Sequence, residues 1–225
     1  MHDDHDHDHD HDHSHADAHA PRRDHDAAAM NSYEVLEEAL RLLLVRKGVL
    51  TEKEINDQVD RMDSRSPALG ATVIAKAWTD PPFKARLLQD SRAALAELGI
   101  DIGHITDYYT VENTAAVHNV VVCTLCSCYP KQLLGVPPAW YKNLAYRSRT
   151  VMDPRGVLRE FGLEIQSNVE VRVHDSTADY RYLVLPARPA GTAGWSEAQL
   201  ATIVTRDCMI GTAVPTIPAA RTAAE

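Results

Sequence analysis

The sequence predicts an α+β protein in which an N-terminal helical arm precedes a domain of mixed helices and strands. Between Asn31 and Gly99, apolar residues recur at the three- and four-residue spacing of amphipathic helices. After Gly103, short runs of β-branched and aromatic residues alternate with further helical patterns. We expect four segments: a disordered His/Asp-rich tail (1–30), a helical region (31–103), an α+β domain (104–218) and a C-terminal tail (219–225).

Four helices are predicted in the helical region from their capping residues. They should begin at Asn31, Thr51, Ser66-Pro67 and Asp80-Pro81, and the fourth should run unbroken to Gly99. Side-chain oxygens at these positions can accept hydrogen bonds from the first helical turn, and proline suits that turn. The first helix carries an apolar face of Val35, Leu36, Ala39, Leu40, Leu43 and Leu44. We assign such faces to packing, against the rest of the chain or a partner subunit.

The second half of the chain should contain several short strands. Tyr108–Val111 and Val120–Val122 are β-branched or aromatic runs of strand length. Residues 169–174 and 180–185 alternate apolar and polar side chains, which predicts a β-hairpin around residues 176–179. The remaining predicted elements are helices from Asp153 and Ser196 and a last strand over Cys208–Val214.

Charge and hydropathy exclude two classes of partner. The net charge is −9, but residues 1–26 carry −7 of it, so the remaining 199 residues are close to neutral at −2. No basic stripe of the kind that binds nucleic acid is present. No apolar run approaches the ~18–20 residues that span a bilayer. The N-terminus lacks the apolar core of a secretion signal, so we expect a cytoplasmic protein with neither nucleic acid nor membrane as partner.

The N-terminal tail alternates histidine and aspartate over His5–His13. It has too little apolar surface to form a core, so disorder is expected. Imidazole and carboxylate together bind borderline divalent ions such as cobalt, nickel and zinc weakly. The segment is either a native metal-scavenging tail, which we prefer, or an expression tag.

Three of the four cysteines lie within Cys123–Cys128, a segment that we call the claw. Structural zinc and iron–sulfur clusters both usually take four side-chain ligands, and Cys208 lies about 80 positions away. A backbone curled around one point would also bring the amide nitrogens of Ser127 and Cys128 close enough to that point to act as metal ligands. The pattern therefore favours a soft-metal site with an open ligand position, although buried, unreactive cysteines remain an alternative.

The claw and several ordered blocks resemble the α subunits of nitrile hydratases. The matching blocks are Val121–Cys128, Leu134–Lys142, Pro154–Leu158, Arg181–Pro186, Arg188–Thr192 and Thr205–Gly211. The resemblance covers roughly residues 30–218. Thr124, where the iron class usually has serine, resembles the cobalt class.

This resemblance implies a layered α-β-β-α metal-binding domain and a role for each claw residue. Cys123, Cys126 and Cys128 would give sulfur ligands, and the amides of Ser127 and Cys128 nitrogen ligands, to low-spin cobalt(III), with iron(III) less favoured. Cys126 would mature to a sulfinic acid and Cys128 to a sulfenic acid, successive products of thiol oxidation. Cys126, Ser127 and Cys128 would be the catalytic residues. The implied substrates are a nitrile and water, and the implied partners are a β subunit and a metallochaperone or activator.

One departure from this family leaves the substrate open. Lys131-Gln132 stands where α subunits usually have Trp-Pro. The related thiocyanate hydrolase γ subunit tends to place a basic residue there, which suits an anionic substrate. Tyr129 and Lys131 are candidate pocket residues. Val136–Lys142 and Glu112–Asn119 favour nitrile hydratase, and a cobalt-trafficking or storage protein is the hypothesis from a different class.

Overall fold

The computed structural model describes residues 27–104, 106–126 and 128–218. The predicted N-terminal and C-terminal tails lie almost wholly outside these residues. The helices are α1 (Ala27–Arg46), α2 (Glu52–Asp63), α3 (Pro67–Thr79), α4 (Pro81–Gln89), α5 (Ser91–Glu97), α6 (Lys131–Leu134), α7 (Ala139–Lys142), α8 (Leu144–Met152), α9 (Pro154–Glu160), α10 (Glu197–Thr202) and α11 (Arg206–Ile210). The strands are β1 (Asp107–Glu112), β2 (Val117–Val122), β3 (Glu170–Asp175) and β4 (Tyr180–Leu185). The predicted α+β class is confirmed.

Two compact units make up the chain, divided between Leu50 and Thr51. In the first unit, α1 begins at Ala27, four residues before the start predicted at Asn31. Alanine is the strongest helix former, and the added turn is alanine-rich. Val35 and Leu36 on this helix are 70% and 63% exposed. Within the described residues of α1, the apolar face is therefore solvent-accessible. No described helix is both long and apolar enough to cross a membrane.

The helices of the second unit begin largely where their capping residues predict. Thr51 forms the predicted capping box with Glu54 at the start of α2. The unbroken fourth helix is wrong, because the chain is extended at Asp90, with φ −145° and ψ 91°. The Asp90 carboxylate accepts a hydrogen bond from the Ala93 N–H at 3.0 Å and so caps a new helix, α5.

The four strands form two parallel pairs, β1 with β4 and β2 with β3. The predicted hairpin is therefore wrong. Thr177 N–H does donate to the Tyr180 carbonyl oxygen at 3.1 Å, so the tight turn exists, but it passes the chain from one pair to the other. Five of the six residues of β2 are buried, as is usual in parallel sheets covered on both faces. Parallel pairing places Val122 opposite Asp175, so the carboxyl ends of β2 and β3 share one edge.

The last predicted strand, Cys208–Val214, is also wrong, because Arg206–Ile210 is helical. The Thr205 hydroxyl accepts a hydrogen bond from the Cys208 N–H at 3.3 Å and caps this helix. Gly211 then ends it in the left-handed region at φ +88°. The apolar run that suggested a strand is instead a buried short helix, in which the Cys208 side chain is only 1% exposed.

The core of the second unit positions the claw. Side chains from α3, α4 and α5 pack with those of β2 and β4 in one apolar cluster that also contains Cys123 and Cys128. Representative members are Val73, Ile74, Phe83, Leu87, Leu95, Val121, Leu183 and Met209. The claw therefore leaves a buried strand directly, so its first residue is fixed by the core.

Candidate metal centre

The three claw sulfurs converge on one point. Cys126 Sγ lies 3.5 Å from Cys123 Sγ and 3.1 Å from Cys128 Sγ, and all three sulfurs lie within 4.8 Å of one another. The Cys126 N–H also donates to Cys123 Sγ at 3.3 Å, which closes the first turn. Cys123 and Cys128 are buried, whereas Cys126 is exposed. The site therefore faces solvent on one side only.

The two separations that involve Cys126 Sγ are short enough for these sulfurs to bind one metal ion. Two sulfurs each about 2.3 Å from a metal lie about 3.3 Å apart at 90° and about 3.8 Å apart at the tetrahedral angle. The observed 3.1 Å is close to the first value, and the observed 3.5 Å lies between the two. Ser127 lies outside the described residues, so its predicted amide ligand stays a prediction.

The environment keeps the Cys128 thiol protonated in the metal-free chain. Burial raises the pKa of Cys128, the hydrogen bond with Cys126 raises it further, and the positive charge of Arg181 lowers it in part. A metal must displace such protons because thiolate is the ligating form. Metal uptake at this site should therefore release protons.

Side chains hold the claw backbone from two sides. The carboxylate of Asp175 accepts hydrogen bonds from the Thr124 N–H at 2.9 Å and from the Thr124 hydroxyl at 2.5 Å. Arg147, on α8, donates to the carbonyl oxygens of Cys123 at 2.9 Å and Thr124 at 2.7 Å. The Tyr141 hydroxyl donates to the Cys128 carbonyl oxygen at 2.8 Å. Both ends of the claw are thus tied to helices or strands of the core.

A polar network supports β2 beneath the claw. His118 Nε2 lies 2.7 Å from the Gly211 carbonyl oxygen, and His118 Nδ1 lies 3.3 Å from Asn113 Nδ2. The neutral ring protonated on Nε2 satisfies both contacts, because Asn113 Nδ2 is a donor. Burial lowers the pKa of His118, although the bond to Gly211 opposes that shift. The neutral form therefore fits the folded state.

The claw opens into a pocket of about 610 Å³. Cys126, Cys128, Tyr129 and Lys131 all line it. Tyr129 is buried, and its hydroxyl has no hydrogen-bond partner among the described residues, whereas Lys131 is exposed at the start of α6. The charged lining residues are all basic: Arg65, Lys131, Lys142 and Arg181. The pocket should therefore attract negative charge.

The sequence patterns include the three cysteines whose sulfurs converge and two residues that line the cavity, but not the side chains that hold the claw. Arg147 and Asp175 lie 24 and 51 positions beyond their claw partners, with no motif linking them to it. A correct pairing of β2 with β3 would have placed Asp175 beside the claw. The position of Arg147 carries no such signal.

A family model described as nitrile hydratase, alpha chain, matches residues 31–213. The chain belongs to this family. Among nitrile hydratase relatives, the low-molecular-weight cobalt-containing subunit alpha of Rhodococcus rhodochrous is 48% identical over 203 residues, covering 88% of this chain and 93% of that subunit. The thiocyanate hydrolase subunit gamma of Thiobacillus thioparus is 43% identical over 197 residues, covering 83% and 81%. A double mutant of Fe-type nitrile hydratase from Comamonas testosteroni Ni1 aligns with a TM-score of 0.78 at 42% identity, covering 86% of this chain and 98% of that chain.

Proposed function

We propose that this chain is the metal-carrying subunit of a cobalt nitrile hydratase, which converts R–C≡N and water to R–C(=O)NH₂. The observation that carries the proposal is the convergence of the Cys123, Cys126 and Cys128 sulfurs, two of which, on Cys126 and Cys128, belong to residues that line an open pocket. Family membership supports a catalytic role over cobalt storage or trafficking, because the related subunits are named as parts of enzymes.

The claw would hold the ion through five donors: three sulfurs and the amide nitrogens of Ser127 and Cys128. Trivalent cobalt, when bound, would supply a Lewis acid that activates the nitrile or a water molecule. Thr124 and the cobalt-containing relative support cobalt, while the Fe-type structure keeps iron as the alternative. With five protein donors, the ion would keep a ligand position open for the substrate.

Cys126 and Cys128 would act after oxidation by an external oxidant such as dioxygen, to sulfinic and sulfenic acid respectively. The oxygen on Cys128 would be the nucleophile toward the nitrile carbon, or the base that takes a proton from water. In the first route, the Cys128 oxygen would form the bond to carbon, its S–O bond would then break, and water would add to the sulfur to restore the sulfenic acid. In the second route, water would give its oxygen to carbon. In both routes, the two protons of water would end on nitrogen. Tyr129 and Lys131, which line the same pocket, would contact the substrate.

A partner subunit would complete the site. The exposed apolar face of α1, with Val35 and Leu36, is the kind of surface that a stable partner covers. A β subunit that also brings arginines would neutralise the oxidised, anionic claw. We infer a cytoplasmic complex, loaded by a metallochaperone or activator.

The His/Asp-rich tail would collect divalent cobalt rather than take part in turnover. Removing residues 1–26 should slow loading at limiting cobalt and leave kcat unchanged once cobalt occupancy is complete. A lower kcat at full occupancy would contradict this role for the tail.

Thiocyanate is the second candidate substrate. The four basic residues lining the pocket, with no carboxylate among the lining residues that the structure describes, favour an anion. The thiocyanate hydrolase relative supports the same choice. Conversion of thiocyanate, but not of an aliphatic nitrile, would identify this activity.

Co-expression with a gene for a β-type subunit tests the proposal. The purified complex should form amide, show a sulfur-to-cobalt charge-transfer band, and carry added oxygen on Cys126 and Cys128 by mass spectrometry. Cys126→Ser should abolish amide formation, whereas Cys208→Ala, outside the claw, should retain it. A cobalt-loaded complex that forms amide without oxygen on either claw cysteine would refute the proposed chemistry.

A further inference from the structure

One side chain binds two consecutive carbonyl groups at the start of the claw. Arg147 donates from Nε to the Cys123 carbonyl oxygen and from Nη2 to the Thr124 carbonyl oxygen. In an extended strand, successive residues point their groups in opposite directions, so one guanidinium cannot reach both carbonyls. The two hydrogen bonds therefore require the chain to turn immediately after β2.

The turn held by Arg147 begins the curl of the three sulfurs. Across it, the Cys126 N–H donates to Cys123 Sγ at 3.3 Å, and the Cys126 sulfur comes to lie 3.5 Å from Cys123 Sγ. Asp175 accepts hydrogen bonds from the N–H and hydroxyl of Thr124. The two carbonyl oxygens need a donor instead, and Arg147 provides it. Without Arg147, the Thr124–Leu125 peptide would lose the side-chain hydrogen bond to its carbonyl oxygen, so it could rotate and carry Cys126 away from the other sulfurs.

The shape of the Arg147 side chain suits this task. Its planar fork presents two donors in fixed directions, whereas the lysine ammonium is a single point that binds less selectively. Among the residues that the structure describes, no carboxylate lies within ion-pair distance of Arg147, and both of its hydrogen bonds go to the claw. Arg149, on the same helix, instead pairs with Glu160.

We propose that Arg147 is a positioning residue of the metal centre: by fixing both carbonyls, it sets the turn that makes the three sulfurs face one point. This inference rests on the proposed metal centre but not on the identity of the substrate. Side chains that orient a metal ligand typically change metal affinity by about 10- to 100-fold when removed.

Cobalt binding tests this role. The full chain is co-purified with its partner in the metal-free form, and its claw cysteines are kept as thiols under anaerobic conditions. Arg147→Met should weaken the apparent cobalt(II) affinity, measured by chelator competition, by about 10- to 100-fold. The charge-transfer spectrum of the fully loaded Met variant should also change, because the sulfur positions relax. Arg147→Lys, which keeps the charge but not the fork, should recover only part of the affinity. Arg149→Met is the matched control and should bind cobalt like the wild type.

Wild-type affinity and spectrum in Arg147→Met would overturn the inference, as would equal losses in the Arg149→Met control. If circular dichroism shows that Arg147→Met is unfolded, the Arg147→Lys variant provides the test instead. Wild-type cobalt affinity and spectrum in Arg147→Lys would show that the planar guanidinium is not required. A wild-type complex that binds cobalt but makes no amide would refute the proposed function alone. A wild-type complex that binds no cobalt would refute both.

Discussion

Replacing Gly211 with alanine should destabilise the chain far more than the same change at Gly162. Both glycines end short helices in the left-handed region, at φ +88° and +79°. An alanine in this region costs about 1–2 kcal/mol, so both variants should lose that much. At Gly162 no steric cost is added to this backbone cost, because nothing lies within 4 Å of a Cβ built there.

At Gly211 the added carbon would collide with the backbone of β2. A Cβ there would lie 2.0 Å from the Asn119 carbonyl oxygen and 2.9 Å from Val120 Cα. Ordinary carbon–oxygen contacts are about 3.3 Å or longer, so helix and strand must separate by about 1 Å. Forced overpacking of this kind costs about 1–3 kcal/mol more. The total expected loss is about 2–5 kcal/mol, against about 1–2 kcal/mol for Gly162→Ala.

Chemical denaturation of the full chain in complex with its partner measures this difference. In thermal denaturation of a chain of this size, a stability loss that is about 2 kcal/mol larger for Gly211→Ala than for Gly162→Ala corresponds to a Tm lower by about 4–8 °C. Cobalt binding should fall in Gly211→Ala and not in Gly162→Ala, because β2 leads directly into the claw. Losses that agree within about 0.5 kcal/mol would refute the close approach of Gly211 to β2.

Asp175→Asn, which removes the charge that holds Thr124, should weaken cobalt binding about tenfold in chelator competition; an unchanged affinity would mean that Asp175 does not position the claw. Because burial lowers the pKa of His118 in the folded chain, the unfolded chain takes up this proton first. The free energy of unfolding should therefore be highest above pH ~6.5 and fall as the pH drops below it, and His118→Gln should flatten that slope; an undiminished slope would assign it to other groups. Lys131→Met should raise KM for thiocyanate more than for a neutral nitrile in steady-state kinetics, and equal changes would exclude Lys131 from substrate selection.

The sequence predicts this fold best where the determinants are local. Thr51, Asp80 and Asp153 cap helices with hydrogen bonds to residues three positions away, and a capping signal of that kind is visible in the sequence. Asp90 provides the same kind of cap, but the surrounding apolar pattern continues across it and hides the break. Helix caps can therefore be predicted from the sequence, although a continuous helical pattern of apolar residues can hide one.

Strand pairing could not be predicted in the same way. The alternation of apolar and polar residues in β3 and β4 is compatible with a hairpin and equally with two separate parallel pairs. The alternation shows which face of each strand is buried, but it does not show which strand lies beside it. The claw shows the same limit. Its cysteines share one short segment and are evident, whereas Arg147 and Asp175 meet it only after distant segments have packed.

The distance along the chain between the claw and Asp175 bears on synthesis. Asp175 contacts Thr124 from 51 positions farther along, and it does so at the end of a strand that pairs with the one before the claw. Contacts so remote in sequence form late and slowly. During translation, the claw cysteines are synthesised before Asp175, which restrains the claw. Until Asp175 has emerged from the ribosome and β3 has paired with β2, the three thiols therefore lack their final geometry.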